Sequence, residues 1–404
     1  MVKRRDLLIG AGLGALYAGI GNGAPAAPAM RAPAHAPASS GPQAPVAAAP
    51  QAPAEAGSWK RYRDIYAIDG AASFDFVYTA DDAAATAAEL QVVRDAGLGA
   101  VLTTVAPQGR FWLDDAAHAR AKEEIAKWDA VIARHPQQLY RVERAADLKA
   151  SGRNGRTGII YGFQGTEPLG EDLERIAQFR QLGVRVIQLT HNRRNIVGDG
   201  CMEPGDAGIS NYGYKVIERL NAEKVVVDLA HGAARTIREG LAACKAPMLI
   251  SHTGCRALAD LPRNVHDSEL RTMAERGGVA GIIFWPYLRE DTQPLAADVI
   301  RHIEHAIKVC GEDHVGIGTD SGVAAARRTP QFEQENREFI KGMVEDGIFA
   351  KGRPPDLYMF IPDLNMPNRF EVLAARLSAR GHSDARIEKI LGGNFARVMG
   401  EVWG

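Results

Sequence analysis

Three histidines and one aspartate stand directly after apolar segments of the chain. The segments end in Leu-Thr-His191, Leu-Ala-His231 and Ile-Ser-His252, and a later one ends in Gly-Thr-Asp320. Imidazole and carboxylate groups are the usual protein ligands of zinc and similar metals. A single histidine at such a position is more often a hydrogen-bonded structural residue. Three in succession, followed by an aspartate, indicate a shared site that either binds a metal or performs general acid–base chemistry without one.

An amide stands where a metal site would normally have a carboxylate. Gln164 directly follows the apolar segment Thr157-Gly-Ile-Ile-Tyr-Gly-Phe163. Its side chain is a weak, neutral ligand. The sequence contains no Gly-x-Ser-x-Gly, so a serine nucleophile is not supported.

Other side chains near these positions are weaker candidates. Asp75 is either a displaced carboxylate ligand or a loop residue. One of the adjacent arginines Arg193 and Arg194 binds an anionic substrate, or both are solvated. Three aromatic residues form either a pocket wall or plain core, and three further histidines on or beside one predicted helix are interpreted as structural: Trp285, Tyr287 and Tyr358, and His302, His305 and His314.

Eight apolar segments must position these residues. They are rich in Val, Ile and Leu and barely alternate with polar residues, which is typical of parallel strands covered on both faces. The predicted strands are residues 65–69, 100–105, 157–163, 185–190, 224–230, 247–251, 279–285 and 315–319.

Amphipathic stretches between and after the strands predict helices. The predicted helices are residues 81–96, 117–134, 172–182, 211–221, 233–243, 267–276, 297–310, 369–380 and 383–391. The first is expected to begin after Thr79 as its N-cap and to end at Gly97.

The alternation of eight strands with helices predicts a closed (β/α)₈ TIM barrel. A doubly wound open sheet is the alternative, and the absence of Gly-x-Gly-x-x-Gly after the first strand disfavours it as a nucleotide-binding fold. In a barrel the candidate residues meet at the carboxyl ends of the strands. A long loop at residues 323–370 is expected either to cover that end or to form a surface or dimer contact.

Composition limits the partners. The chain has 404 residues, is 46% hydrophobic and carries a net charge of −1. Its basic residues are scattered, so neither nucleic acid nor an anionic membrane surface is indicated, and we expect a small-molecule substrate.

The first 57 residues are expected to lie outside the fold. Residues 1–22 join Lys3-Arg-Arg5 to a short apolar run, which is typical of a twin-arginine export signal and too short to span a membrane. Residues 23–57 form an Ala/Pro-rich linker, and residues 58–404 the folded domain. We therefore expect a periplasmic or secreted protein whose mature chain is not inserted in a membrane. Its four cysteines allow three disulfide pairings, and the sequence does not choose among them: Cys201, Cys244, Cys255 and Cys310.

Several separated motifs carry a resemblance to a known family. They are Leu189-Thr-His-Asn-Arg-Arg-Asn195, Val227-Asp-Leu-Ala-His231, Ile250-Ser-His252, Arg263-Asn-Val265, Gly316-Ile-Gly-Thr-Asp320 and Gly392-Gly-Asn394. With these motifs, residues 65–404 resemble the membrane (renal-type) dipeptidase family, peptidase family M19. The resemblance implies a (β/α)₈ barrel of the amidohydrolase type, two zinc ions, hydrolysis of dipeptides and a possible homodimer.

The resemblance also implies roles for residues that are retained. His231 and His252 correspond to the ligands of the second zinc ion. His191 corresponds to the histidine that polarises the scissile carbonyl or stabilises the oxyanion. Arg263 corresponds to the arginine that holds the substrate carboxylate, and Asp320 to the aspartate near the catalytic water.

Three family positions are substituted. Ala71 and Ser73 stand where the family has a His-x-Asp pair that binds the first zinc ion, and Gln164 stands in place of the glutamate that bridges both ions. These changes agree with one another, because a bridging carboxylate is needed only where two divalent ions lie close together. They predict a degenerate centre that holds one divalent metal, zinc by preference, or none.

We therefore expect a hydrolase or related lyase that acts on a small amide- or carboxylate-containing molecule. His231, His252 and Asp320 are the predicted metal ligands, with Gln164 as a weak fourth. Asp320 and His191 are the predicted catalytic residues. The predicted substrate-binding residues are Arg263, His191, Gln164, His266 and Trp285. The alternatives are a non-catalytic periplasmic binding protein and a standard dipeptidase with a rebuilt metal site.

Overall fold

The computed structural model describes residues 59–79, 82–106, 116–149 and 155–404. The predicted export signal and the predicted linker lie outside the described residues. Among the helices that are described, none has the length and apolar character needed to cross a membrane.

Eight parallel strands form the centre of the fold, and each follows its neighbour in chain order. They are β1 (Ile68–Asp69), β2 (Ala100–Ala106), β3 (Thr157–Phe163), β4 (Val184–Gln188), β5 (Val226–Asp228), β6 (Leu249–Thr253), β7 (Val279–Ile282) and β8 (Val315–Ile317). All eight predicted strands are present, most of them shorter than predicted. Two short strands that were not predicted, Ala72–Ser73 and Ser321–Gly322, pair with each other beyond the ends of β1 and β8.

Contacts between the first and last strands complete the circle. The Gly70 amide donates a hydrogen bond of 2.9 Å to the Ile317 carbonyl, and the Asp320 amide donates one of 2.6 Å to the Ala71 carbonyl. A further unpredicted strand, Leu139–Arg141, pairs with the outer part of β3. The (β/α)₈ TIM barrel is therefore confirmed, and the alternative of an open doubly wound sheet is wrong.

Two glycines allow β6, β7 and β8 to approach one another closely at their carboxyl ends. A Cβ atom on Gly281 would lie 2.0 Å from the Ser251 carbonyl oxygen, and one on Gly318 would lie 2.1 Å from the same atom. No larger residue fits at either position without moving the backbone. The pair of glycines thereby fixes how β6 sits beside β7 and β8.

Helices cover the outside of the barrel at the predicted places. They span Ala83–Ala96, Ala117–Arg134, Glu174–Gln181, Asn211–Ala222, Ala234–Ala243, Asp267–Glu275, Ala296–Cys310, Arg369–Ala379 and Asp384–Glu388. The predicted N-cap of the first helix is wrong. The side chain of Asp82 accepts hydrogen bonds from the Ala84 and Ala85 amides, whereas Thr79 lies one turn earlier.

Three further helices of the described chain were not predicted, and the first is the single turn Phe76–Thr79. Pro330–Glu345 lies inside the segment 323–370 that was interpreted as a loop, and Thr329 caps it while Pro330 occupies the first turn. Asn394–Trp403 ends the chain and packs Phe395, Val398 and other apolar residues against the starts of the strands. This last helix closes the amino-terminal end of the barrel, so the polar residues of the site lie at the opposite end.

The four cysteines form no disulfide, and three of them are buried thiols. Burial raises the pKa of Cys201 to about 11 and that of Cys244 to about 12. None of these thiols is therefore activated as a nucleophile.

Candidate functional site

Two imidazoles and one carboxylate meet at the carboxyl ends of β5, β6 and β8. The Nε2 atoms of His231 and His252 lie 3.0 Å apart. Asp320 Oδ1 lies 3.8 Å from His252 Nε2, and one ligand atom from each of the three residues falls within 4.8 Å of the others. All three side chains are buried. Among the described residues, no other group of three such side chains comes as close.

The backbone holds two of these residues in an uncommon conformation. His231 has φ of 61° and Asp320 has φ of 55°, in the left-handed region that non-glycine residues seldom adopt. Such strain persists only where surrounding contacts impose it, and it is frequent at functional sites. For Asp320 those contacts include its amide bond to Ala71 and a hydrogen bond of 2.5 Å that Trp285 Nε1 donates to the Asp320 carbonyl.

Two buried aspartates clamp neighbouring strand ends in the same way. Asp228 accepts hydrogen bonds from the Ser251 amide and, at 2.5 Å, from the Ser251 hydroxyl. Asp69 accepts from the Thr319 amide and, at 2.7 Å, from the Thr319 hydroxyl. Each clamped hydroxyl residue immediately precedes a site residue in the chain, His252 or Asp320. Neither clamp was predicted from the sequence.

Burial sets the protonation of the imidazoles. Desolvation in the core, reinforced by the positive charge of Arg263, lowers the pKa of His231 and of His252 well below the ordinary value. The same two causes lower the pKa of His191 to about 3. All three rings are therefore neutral near pH 7, which is the form that binds metals.

The carboxyl group of Asp320 has the opposite shift. Burial raises its pKa to about 7, while Arg263 and a hydrogen bond from Gln164 oppose the rise. A cation held beside this group would favour its ionised form.

His191 stacks on one of the converging rings. Its imidazole lies 4.1 Å from that of His231, centroid to centroid, with 24° between the planes. The structure thus brings the third strand-end histidine to the same place, beside the other two.

Arg263 is a buried cation with unused donors. The side chain is 3% exposed, and Nε and Nη2 have no hydrogen-bond partner in the described chain. Its guanidinium carbon lies 6.0 Å from the ring centre of Tyr287, which itself stacks on Trp285. Because an unpaired buried guanidinium is costly, this arrangement calls for an anionic group from a ligand.

The substituted positions offer neither an imidazole nor a carboxylate to a second ion. Ala71 contributes only its backbone, and Ser73 lies in the short strand paired with Gly322. Gln164 donates a hydrogen bond of 3.4 Å from Nε2 to Asp320 Oδ1. A cavity of about 20 Å³, lined by Ala71, Thr104, Gln164 and His252 among others, remains beside them and is large enough for about one water.

Other carboxylates near β1 do not replace the missing ligands. Asp69 is occupied by its clamp on Thr319. Asp75 is half-buried beside Glu89, whose carboxylate accepts a hydrogen bond of 3.1 Å from the Asp75 amide. Neither belongs to the cluster of potential ligands.

Several weaker candidates have structural roles. His266 is the N-cap residue of helix Asp267–Glu275, and its amide bonds to Glu269. Arg193 donates to the Asp346 carbonyl, and Arg194 pairs with Asp199.

The remaining aromatic residues and histidines divide in the same way. Tyr358 does not join the wall formed by Trp285 and Tyr287, because it stacks between Phe332 and Phe360 and donates to Glu333. The interpretation of the three later histidines as structural agrees with their contacts: His302 bonds to the Cys255 amide and the Leu288 carbonyl, His305 to Asp267, and His314 to the Gly278 carbonyl.

The three converging side chains fit one divalent ion. Two nitrogens bound to the same tetrahedral zinc ion lie roughly 3.3 Å apart, close to the 3.0 Å between the two Nε2 atoms. Two neutral imidazoles and a carboxylate are a common ligand set of catalytic zinc sites that keep a position open. The residues around Ala71 fit a second ion poorly, since Ala71, Ser73 and Gln164 offer it neither an imidazole nor a carboxylate.

Comparisons with known proteins agree with this architecture. The profile of one family, described as membrane dipeptidase (peptidase family M19), matches residues 65–347. The dipeptidase verJ of Clonostachys rogersoniana is 27% identical over 274 residues, which are 67% of this chain and 62% of that protein. The uncharacterized dipeptidase C965.12 of Schizosaccharomyces pombe is 34% identical over 206 residues, which are 49% of this chain and 50% of that protein. The chain thus spans between half and two thirds of the length of these two relatives.

Solved structures extend the likeness over most of the chain. An amidohydrolase from Pseudomonas aeruginosa is 26% identical, with a TM-score of 0.70 over 85% of this chain and 98% of that one. The dipeptidase AC, a metallopeptidase of family M19, shares the fold with a TM-score of 0.68 at 20% identity, over 84% of this chain and 99% of that one.

Proposed function

We propose that this chain, which belongs to the membrane dipeptidase family (peptidase family M19), is a hydrolase with a single divalent metal ion, acting on a small molecule that carries an amide bond and a carboxylate. The observation that carries the proposal is the buried pair of His231 and His252 nitrogens at 3.0 Å beside Asp320. A divalent ion held by these three residues would supply Lewis-acid chemistry and a water acidic enough to ionise near pH 7. Zinc is the ion that this ligand set favours.

Arg263 supports the carboxylate in the proposed substrate. Its two unpartnered nitrogens can form the paired hydrogen bonds that a carboxylate accepts from a guanidinium. The binding is strengthened by burial, because water cannot screen the charges there. A ligand carboxylate at Arg263 would place the adjoining part of the molecule over His191 and His231.

His191 and Asp320 are proposed to act on the reacting group. His191 is neutral, so it can donate an N–H hydrogen bond to an oxygen that gains negative charge during the reaction. Asp320 is the nearest carboxylate to the imidazole pair, and its carboxylate oxygen that does not bind the ion would accept or return a proton. Gln164 holds Asp320 Oδ1 through its amide, so its proposed role is to orient that carboxylate and not to bind the metal.

Two other functions are compatible with the same geometry. Loss of the ligands at Ala71 and Ser73 favours a binding protein that kept the pocket and lost catalysis. A standard two-zinc dipeptidase would need replacement ligands near β1, where Thr319 holds the carboxylate of Asp69 and the carboxylate of Asp75 lies outside the group of three potential ligands.

Turnover by the metal-loaded chain tests the proposal. The full-length protein would be loaded with zinc, manganese or cobalt and tested against dipeptides with L- and D-residues, N-acyl amino acids and the matching amides without a carboxylate. We expect metal-dependent hydrolysis of carboxylate-bearing compounds, lost in His231→Ala and weakened in Arg263→Met. Binding of these compounds without turnover by any metal form would support the binding protein, and hydrolysis that requires two ions per chain would support the standard dipeptidase.

Export and assembly are proposed on the sequence and the family. The basic and apolar run at residues 1–22 supports export through the twin-arginine route to the periplasm or beyond. The tendency of the family to dimerise supports a homodimer. Fractionation of cells that produce the full chain, and light scattering of the purified protein, test the two statements separately.

A further inference from the structure

We propose that Asp228, acting through the hydroxyl of Ser251, fixes His252 in the tautomer that carries its proton on Nδ1, and that Asn192 fixes His231 in the same tautomer. Both Nε2 lone pairs then face each other and create a binding position for one cation. The identity of the cation rests on the proposed function, whereas the tautomers do not. Asp228, Ser251 and Asn192 are thus positioning residues that act through the imidazoles.

The direction of the first hydrogen bond follows from the donors available. Ser251 has one hydroxyl proton and two neighbours, Asp228 Oδ2 at 2.5 Å and His252 Nδ1 at 2.8 Å. An ionised carboxylate only accepts hydrogen bonds, so the serine proton points to Asp228. The serine oxygen can then only accept from His252, and therefore Nδ1 of that ring carries the proton.

The surroundings of Asp228 favour its ionised form. Oδ1 accepts hydrogen bonds from the Ala230 amide at 3.0 Å and the Ser251 amide at 2.9 Å. With the serine hydroxyl, three donors point at one carboxylate, and hydrogen bonds to the charged form stabilise it. Burial nevertheless raises the pKa of Asp228 above its ordinary value, and the three hydrogen bonds, with the charge of Arg263, limit the rise.

Asn192 fixes the tautomer of the His231 imidazole in the same way. Its Oδ1 lies 2.8 Å from His231 Nδ1. The thiol of Cys201 also points to this oxygen, at 3.7 Å, which agrees with its being an acceptor. His231 Nδ1 must therefore donate, and its Nε2 is left without a proton.

The two arrangements together leave an electron-rich contact. Neither Nε2 atom carries hydrogen, yet the two atoms lie 3.0 Å apart in a buried site. Two lone pairs at this distance repel each other, and a shared cation removes the repulsion. The second aspartate clamp differs in this respect, because Asp69 and Thr319 bond to each other and to backbone without reaching an imidazole.

Nitrogen NMR on the metal-free full chain tests the tautomers directly. Protein with ¹⁵N-labelled histidine would be stripped of metal, and long-range proton–nitrogen spectra would be assigned with His231→Gln and His252→Gln. We expect both residues as neutral rings with protonated Nδ1 and an unprotonated Nε2. A proton on Nε2 of His252 would show that Asp228 donates to Ser251, and it would overturn the proposal.

Cobalt affinity tests what the positioning does. Ser251→Ala removes the acceptor for His252 Nδ1, and we expect Co²⁺ to bind roughly 10- to 100-fold more weakly. Ser251→Thr keeps a hydroxyl and is expected to restore most of the affinity. Thr157→Val is the matched control, since it removes a buried hydroxyl that bonds to the Leu98 carbonyl at the opposite end of a strand.

The outcomes separate this inference from the proposed function. Equal Co²⁺ affinity in Ser251→Ala and Thr157→Val, with both variants folded by circular dichroism, would overturn the positioning role. A wild-type chain that binds no Co²⁺ but shows the two Nδ1 tautomers would contradict the proposed metal enzyme and leave the tautomer assignment intact.

Discussion

The Nε2 atoms of His231 and His252 face each other at 3.0 Å across the carboxyl ends of β5 and β6. Each ring is held from behind through Nδ1, one by Asn192 and the other by Ser251. Asp320 completes the group, whereas Ala71 offers nothing on the β1 side. These contacts support the proposed centre for one ion.

Replacing Arg263 should weaken substrate binding more than turnover. Arg263→Met removes the charged partner of the proposed substrate carboxylate, and loss of hydrogen bonds to a charged group raises KM by roughly 10- to 100-fold. Arg263→Lys keeps the charge without the paired donors and should lie between the two. Steady-state kinetics on a carboxylate substrate and its neutral amide measure the effect.

The control for this prediction is Arg256→Met. That arginine pairs with Asp260 in the same loop at 2.6 Å, outside the site, so its loss should leave KM unchanged. Equal changes in KM for the neutral amide and the carboxylate substrate in Arg263→Met would contradict the assigned role.

A glutamate at position 164 should be unfavourable by itself. Gln164 now donates to Asp320 Oδ1 at 3.4 Å, and Gln164→Glu would replace that donor by a second carboxylate. Two carboxylates at this distance share a proton, so their pKa values rise on folding. Stability from that proton is present at low pH and is lost as the pH rises, and the metal-free variant should fall below wild type by about 2 kcal/mol at pH 8 and much less at pH 5. Urea unfolding at the two pH values measures it, and an equal loss at both would exclude charge repulsion.

Restoring all three substituted positions should rebuild the second ion site. Ala71→His, Ser73→Asp and Gln164→Glu combined supply the imidazole and the carboxylates that the resemblance implies at these positions, and the second ion relieves the repulsion between the carboxylates at positions 164 and 320. Metal analysis by inductively coupled plasma mass spectrometry should give about two ions per chain for the triple variant. The single Gln164→Glu variant serves as its control, and an unchanged count in the triple variant would show that these positions were mapped incorrectly.

Glu89 should make the fold less stable as the pH rises through the neutral range. Burial, with the neighbouring charge of Asp75, raises the pKa of Glu89 to about 7. The folded state therefore holds a proton that the unfolded state has released, and stability falls between the ordinary pKa near 4.5 and about 7. Glu89→Gln keeps an acceptor for the Asp75 amide without the charge, and should exceed wild type by about 2 kcal/mol at pH 8 but not at pH 4.5.

Chemical denaturation at both pH values checks the prediction for Glu89. Glu123→Gln, on the exposed face of helix Ala117–Arg134, is the control and should change stability little at either pH. A gain in Glu89→Gln that is the same at pH 4.5 and pH 8 would exclude ionisation as its cause.

The strands of this fold could be predicted from the sequence, because strands that are buried on both faces consist of continuous apolar residues. The helix Pro330–Glu345 was not predicted, because a segment with so many charged residues has the composition of a surface loop. Its buried residues Phe332, Asn336, Ile340 and Met343 are nevertheless spaced by three or four, and Thr329 with Pro330 is a typical helix start. This spacing and this start together predict the helix.

The site was only partly accessible to sequence reasoning. Histidines at the ends of β5 and β6 were expected to be neighbours because consecutive strands of a barrel lie side by side. The distances between these side chains depend on the backbone conformation, including the left-handed conformations at His231 and Asp320, and the sequence does not give that conformation. The clamps of Asp228 on Ser251 and of Asp69 on Thr319 join residues far apart in the chain, and their only signal was a polar residue inside otherwise apolar strand ends. His266, which was predicted to bind substrate, is the N-cap residue of helix Asp267–Glu275, and its position before Asp-Ser-Glu269 already indicated that place.

Anomalous diffraction tests the central claim most directly. Crystals of the full chain, purified without chelator and loaded with zinc, would be measured above and below the zinc absorption edge. We expect one anomalous peak per chain, within bonding distance of His231 Nε2, His252 Nε2 and a carboxylate oxygen of Asp320. Two peaks side by side, or none between the two imidazoles in zinc-loaded crystals, would contradict it.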